Sequence, residues 1–172
     1  MRLLLIKPNT SAHTTARLAA SARRVMVEGE ERVAVTASSG PRAGRSAADL
    51  KLAEASALLL AATHAATRAP NHDAIVLAIS LDGAAVQLRQ QHPNLPVIGM
   101  TEAALLTACL RSDRLGLLTL GSAMLPLYRQ RIAVLCGYAE ALQARCAMPV
   151  FDGVACAVKQ ARLQLACRAS LP

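Results

Sequence analysis

Short apolar runs alternate with Ala-rich stretches of helical spacing along most of this chain. Leu3–Ile6, Val33–Thr36, Asp73–Ala78 and Pro96–Ile98 read as strands, and the third is apolar throughout after Asp73, as a parallel strand covered on both faces should be. Residues 11–28 and Ser46–Arg68 carry helical patterns, the second with Ser46 placed to cap its N-terminus. The Gly40-Pro41 pair marks the loop Ser38–Gly44. Ser80-Leu81-Asp82-Gly83 leads into a helix ending near Gln91, and helix N-capping is the plain role for Ser80 and Asp82. Thr101 and Glu102 open a helix to Leu110, Arg114–Leu120 follows as a strand, and Leu125–Gly137 is helical with Pro126 in its first turn. A short strand at Met148–Phe151 and a final helix from Asp152 to about Ala166 complete the pattern. Alternating strands and helices predict an α/β fold with a parallel sheet. Ligands of such sheets bind outside the carboxyl ends of the strands, which brings Asn9, Thr10, Ser11, Ser80, Asp82 and Thr119 to one rim.

The turn after the first strand, Pro8-Asn9-Thr10-Ser11, is the most informative stretch. It reads either as an ordinary βα turn whose Asn and Ser cap a helix, or as a cradle of free backbone N–H groups for a carboxylate or phosphate. Lys7 either adds a positive charge beside that cradle or snorkels out from the strand end.

Composition narrows the function classes. Of 172 residues 53% are hydrophobic, yet the chain has one Phe, two Tyr and no Trp, so its core is aliphatic and stacking platforms for single-stranded nucleic acid are lacking. The net charge of +8 comes from scattered arginines of which only Arg23 and Arg24 are adjacent, so no basic stripe forms and nucleic acid is not an expected partner. No apolar run reaches the ~18 residues of a membrane span, and Met1–Ile6 is too short for the apolar core of a signal peptide, so a cytoplasmic location without membrane attachment is expected. Five cysteines without a Cys-x-x-Cys pair indicate reduced thiols and no structural zinc, and Cys109 and Cys156 fit as small core residues inside helices. His13 follows the Asn9 turn, within reach of a ligand, and His64, His72 and His92 lie at helix ends or turns; for all four a surface or capping role is the plainer reading.

Six stretches, in order, resemble the aspartate/glutamate racemase superfamily and its hydantoin/allantoin racemase branch: Pro8–Ser11, Gly40-Pro41, Asp73–Ala78, Pro96–Ala104, Leu117–Leu120 and Pro149–Ala155. The resemblance implies two similar Rossmann-like α/β lobes with the active site between them, no metal and no cofactor, and two cysteines that exchange a proton on opposite faces of the substrate α-carbon. Here residues 1–112 would form the first lobe, 113–148 an incomplete second lobe, and 149–172 a strand and helix returning to the first. Two departures stand out. Ile79 occupies the place of the first family cysteine, and a branched alkyl group carries no proton. Between the Leu125–Tyr138 and Pro149–Val154 regions the family has a strand ending in Gly-Cys, whereas here only Ala139–Met148 joins them, and Cys146 lacks the Gly-Cys-x-Gly context; a segment between residues 138 and 148 is therefore expected to be missing relative to the family.

The resulting expectation is a cofactor-independent amino-acid or hydantoin racemase-like isomerase, working by proton transfer at a carbon next to a carbonyl and impaired by the loss of its first thiol. The alternative is a non-catalytic small-carboxylate-binding protein of the same fold. Asn9, Thr10, Ser11, Asp82, Gly83 and Thr119 are the expected substrate-binding residues; no catalytic residue is assigned, with Ser80 the weak candidate that remains, and no metal ligands are expected. The expected partners are a small carboxylate or cyclic ureide and further copies of the chain in a homo-oligomer.

Overall fold

Strand β1 (Arg2–Lys7) lies inside the sheet, and every residue from Leu3 to Lys7 is buried. Parallel strands flank it on both edges, β2 (Glu31–Thr36) on one side and β3 (Ala74–Leu77) on the other, with Leu3 opposite both Arg32 and Ala74. Strand β4 (Val97–Gly99) pairs with β3, which gives the order β2-β1-β3-β4, all parallel. The computed structural model describes residues 1–66, 72–110, 117, 122–136 and 153–169. The strands expected at Arg114–Leu120 and Met148–Phe151, the junction at 138–148 and Thr119 lie outside these residues, apart from Leu117.

Two helical layers cover the sheet. Alternate residues of a strand face opposite sides, and the apolar clusters follow that rule. Leu3, Leu5, Val76, Ala78 and Ile98 pack with Ala19 and Ala22 of α1 (Ala12–Arg23), Ala103 of α4 (Met100–Cys109) and Val154, Ala157 and Val158 of α6 (Gly153–Ala169). On the other face, Leu4, Ile6, Ile75, Leu77 and Ile79 pack with Ala53, Ala57 and Ala61 of α2 (Ala47–Ala66) and Ala85 and Leu88 of α3 (Ala85–Gln91). Alanine on the helices brings them close to the sheet, so aliphatic strand residues fill the interior without aromatic bulk. Helix α5 (Leu125–Cys136) contributes Tyr128 to a third, smaller cluster with Leu50, Leu105 and Met124.

Helix α1 ends at Arg23, earlier than the pattern to residue 28 predicts. The amides of Val25 and Met26 turn back to Ala22 and Arg23, three residues away rather than four, which tightens and closes the last turn. Gly29, at φ 80°, then permits a turn in which the Glu30 amide bonds the Val27 carbonyl at 3.1 Å. Helix α2 starts at its expected cap, Ser46 Oγ accepting from the Asp49 amide at 3.1 Å.

Helix α6 is fastened by arginines. The Arg162 guanidinium donates Nε to Glu30 Oε1 at 2.8 Å and Nη2 to Glu30 Oε2 at 2.6 Å, and reaches the Val25 carbonyl at 3.1 Å. Arg168 donates to the Asn94 carbonyl at 2.7 Å. Where α6 begins, a Cβ on Gly153 would lie 2.6 Å from the Met100 carbonyl oxygen, so the first turns of α4 and α6 touch through bare backbone.

The fork between Arg162 and Glu30 holds the Glu30 carboxyl below its ordinary value, mainly through the hydrogen bonds from Arg162. Arg162→Ala should cost about 1–2 kcal/mol at neutral pH, the partial exposure of the guanidinium keeping the loss below that of a dry pair. A carboxylate with a lowered native pKa stabilises above its unfolded value and loses that contribution as the pH falls through the native one. The difference between the two proteins should therefore shrink below pH 4.5 in urea titrations. An equal difference at pH 7 and in strong acid would contradict this role for the pair.

Candidate functional site

The chain leaves β1 toward α1 on one face of the sheet and leaves β3 toward α3 on the other. The two connections thus diverge at the carboxyl ends of adjacent strands, the topological crevice at which a doubly wound sheet takes its ligands. Asn9, Thr10 and Ser11 form one wall. Asn9 is 8% exposed, and its Oδ1 lies 3.4 Å from the Ser11 amide that it accepts from. Ser11 Oγ accepts from the Thr14 amide at 3.3 Å, so Ser11 is the N-cap of α1, as the plainer reading of the turn has it. The Thr10 amide donates to the Pro41 carbonyl at 3.2 Å, which joins the Pro-Asn-Thr-Ser turn to the Gly-Pro loop. Ahead of that bonded turn, the amides of Ala12 and His13 have no protein acceptor among the described residues. The His13 side chain itself is exposed.

The loop after β3 forms the facing wall. Ile79 is 5% exposed and packs with Leu4, Ile6 and Leu77 against α2 and α3. A single 3-10 turn, Ser80–Asp82, follows it. Leu81, Asp82 and Ala84 have φ values of 65°, 56° and 69°, a left-handed run in residues that carry a Cβ. Such backbone costs roughly 1–2 kcal/mol per residue and persists only where neighbours hold it. Asp82 supplies that hold. Its buried carboxylate accepts from the Thr101 amide at 2.8 Å and from the Glu102 amide at 2.6 Å, and Arg131 Nη2 approaches it at 3.4 Å. Thr101 returns the contact, its Oγ1 accepting from the Leu81 amide at 3.1 Å.

Asp82 thus caps α4, a helix from a different part of the sheet, rather than the helix that follows it. Helix α3 starts from Ala84 with no side-chain cap. Burial pushes the Asp82 carboxyl above its ordinary value, against the pull of the two amides and Arg131. A Cβ on Gly99 would collide with the Asp82 carboxyl group, and one on Gly83 with the Glu54 side chain, so both glycines are places of close approach. Glu102 is likewise engaged: Arg89 Nη2 lies 3.1 Å from each of its oxygens and Arg131 Nη2 lies 3.4 Å from one. The Ser80 hydroxyl forms no hydrogen bond to a described basic side chain.

Two residues stand differently from their sequence reading. Cys109 is exposed at the end of α4 rather than in the core, whereas Cys156 is buried as expected. His72 is neither a cap nor a surface group: both ring nitrogens are buried and without a hydrogen-bond partner, its ring centroid lies 6.3 Å from that of His64, and burial lowers its pKa. His64, His72 and His92 line a cavity of about 590 Å³ near Leu4, Ile75 and Pro93, at the amino edge of the sheet, away from the crevice. Lys7 is 7% exposed, and burial lowers its pKa to about 8. Among the described residues no group of three His, Cys, Asp or Glu side chains is placed to hold a metal ion, and no described helix is long and apolar enough to cross a membrane.

The Asp/Glu/Hydantoin racemase family model matches residues 3–140. Among solved structures, the allantoin racemase from Klebsiella pneumoniae superposes with a TM-score of 0.84 at 21% identity, covering 98% of this chain and 89% of that one. The allantoin racemase from Pseudomonas fluorescens superposes with a TM-score of 0.71 at 26% identity, covering 96% of this chain and 72% of that one. No curated protein sequence matches the chain.

Removing the Asp82 carboxylate should release the loop and the helix it caps together. Asp82→Ala leaves two amides without their acceptor and Arg131 with Glu102 alone, and should cost about 2–4 kcal/mol in urea denaturation. The amide protons of Thr101 and Glu102 should exchange with solvent markedly faster in the variant. Unchanged exchange at both positions would show that the cap contributes nothing.

Proposed function

The chain belongs to the Asp/Glu/Hydantoin racemase family, and from that premise we propose that it binds a small carboxylate or cyclic ureide in the crevice and acts on it as a cofactor-independent, impaired racemase-like isomerase. The observation that carries this reading is the bond between the Thr10 amide and the Pro41 carbonyl, which gathers two of the family-like stretches at the carboxyl edge, beside the loop of a third. Asn9, Thr10 and Ser11 present polar groups and the open first turn of α1 to a negative charge. Gly83 lets the facing loop pass close to Glu54 of α2, Asp82 fixes that loop in position, and Thr119, outside the described residues, is the remaining residue of the proposed binding set.

Proton transfer at a carbon next to a carbonyl needs a base on one face of that carbon and an acid on the other. It also needs donors that receive the charge developing on the carbonyl oxygen. In this reading the open amides of Ala12 and His13, which follow the turn at Asn9–Ser11, serve the second requirement. Ile79 cannot meet the first, because its side chain has no titratable group and lies in the core. Inversion should therefore be slow and one-sided. The same burial of Ile79 favours a second reading, a protein of this fold that holds its ligand without turning it over.

Exchange of the substrate α-proton in deuterated water separates the two readings, since it reports removal of the proton even without inversion. The isomerase reading expects slow exchange in the unaltered protein and faster exchange in Ile79→Cys. No exchange in either protein, with ligand still bound, would leave the binding reading alone standing. Brisk inversion in both directions by the unaltered protein would show that another group does the work of the thiol, since loss of a positioned acid–base group costs on the order of 10²–10⁴-fold. Asn9→Ala should weaken ligand binding by about 1–3 kcal/mol, and unchanged affinity would remove the turn from the site.

A further inference from the structure

Lys7 is the last residue of β1, and its place is fixed by its neighbours in register. Thr36 lies directly opposite it on β2. The Thr36 hydroxyl donates to Thr15 Oγ1 of α1 at 2.7 Å, so this row of the sheet faces the layer of α1, α4 and α6. Leu3 and Leu5, which share the face of Lys7 by strand alternation, pack against α1, α4 and α6 in the same way. The Lys7 side chain therefore rises from the carboxyl end of the sheet beneath the amino ends of these helices. It is 7% exposed and forms no hydrogen bond or ion pair with a described residue.

Nothing described around it compensates the charge. The first turns of α1 and α6 contain no acidic residue. On α4, Glu102 is held by Arg89 and Arg131, and Asp82 is committed to the amides of Thr101 and Glu102. His13 on α1 and Lys159 on α6 are exposed, and Cys156 is buried in the apolar cluster. Helix amino ends carry partial positive charge, which makes the surroundings of the amine more electropositive still. A lysine this deeply buried with no described protein partner is costly, and an apolar residue at this position would be cheaper for folding alone.

We propose that Lys7 is a specificity residue of the crevice, selecting an anionic carboxylate over a neutral cyclic ureide. The inference rests on the reading of the crevice as a small-ligand site and narrows its substrate class. A carboxylate lying between the Lys7 ammonium and the free amides of Ala12 and His13 gains an ion pair and hydrogen bonds where water is scarce. A neutral ureide offers no charge to the ammonium and forgoes that ion pair. The burial that lowers the amine's pKa to about 8 is reversed when such an anion arrives, because an opposite charge close by favours the protonated form.

N-carbamoylalanine and 5-methylhydantoin are a matched pair of probes, since one is the ring-opened hydrolysis product of the other and they differ in carrying a carboxylate or a closed neutral ring. Calorimetric titration of the full chain should show tighter binding of N-carbamoylalanine. Lys7→Met, close in length and apolar, should fold with a raised melting temperature and weaken N-carbamoylalanine by about 10- to 100-fold, leaving 5-methylhydantoin unchanged. Lys7→Gln gives the same comparison if the Met variant does not fold. Equal or tighter binding of 5-methylhydantoin by the unaltered protein would overturn the selectivity, and so would unchanged N-carbamoylalanine affinity in the variants, while the isomerase reading would stand. Lys7-dependent carboxylate binding without α-proton exchange in the unaltered protein or in Ile79→Cys would support the selectivity and remove the isomerase reading. Failure of both probes to bind would overturn both.

Discussion

A strand with neighbours on both edges and helices on both faces has no place for a polar side chain until it ends. That constraint on β1 shapes the rest of the molecule. Its backbone groups are satisfied by β2 and β3, and its side chains Leu3, Leu5, Leu4 and Ile6 feed two separate apolar layers. The helices that supply those layers must lie on opposite faces, so consecutive connections diverge at the carboxyl edge and leave the crevice between them. Chemistry is displaced to where the strands stop. The first ionisable side chain of β1 after this apolar run is Lys7, and it stands at that edge.

Across the crevice, order comes from a carboxylate rather than from apolar packing. Three residues of the loop after β3 hold left-handed backbone without being glycine. The loop keeps this shape because Asp82 is tied to the amides that open α4 while Thr101 is tied back to the loop. Strain and cap support each other, since the left-handed turn is what carries the carboxylate over Gly99 to reach those amides. The two walls therefore differ in kind: one is an extension of the aliphatic sheet, the other a polar clasp between a loop and a helix.

Much of the fold was legible in the sequence, and the reason is local. Apolar runs such as Ile75–Leu77 announce strands whatever they pair with, and Ala-rich spacing announces the helices that cover them. The parallel α/β architecture and the four strands of the first 99 residues follow from that pattern. The site was less legible because its determining contacts join distant segments. The sequence shows that Asp82 can cap a helix, but only the tertiary structure shows that the helix is α4. Nothing in Leu81 or Ala84 signals positive φ, because neither side chain prefers it. Lys7 sits at a strand end where lysine usually reaches water, and its burial depends on the helices that converge above it. The turn at Asn9–Ser11 was readable in both of its roles, and the structure shows the capping role of Ser11 directly.

Helix α6 has a consequence for how the chain acquires its structure in time. Arg162 reaches back 132 positions to Glu30, and the helix covers the face of the sheet formed by Leu3, Leu5 and Val76. Contacts of such long range form late, because the loop they close must be ordered first. On the ribosome the sheet would complete its pairing while that face, covered by α1 and α4, still lacked α6, until residues 153–169 had emerged. The nascent chain is thus exposed to self-association during the interval between making its sheet and roofing it.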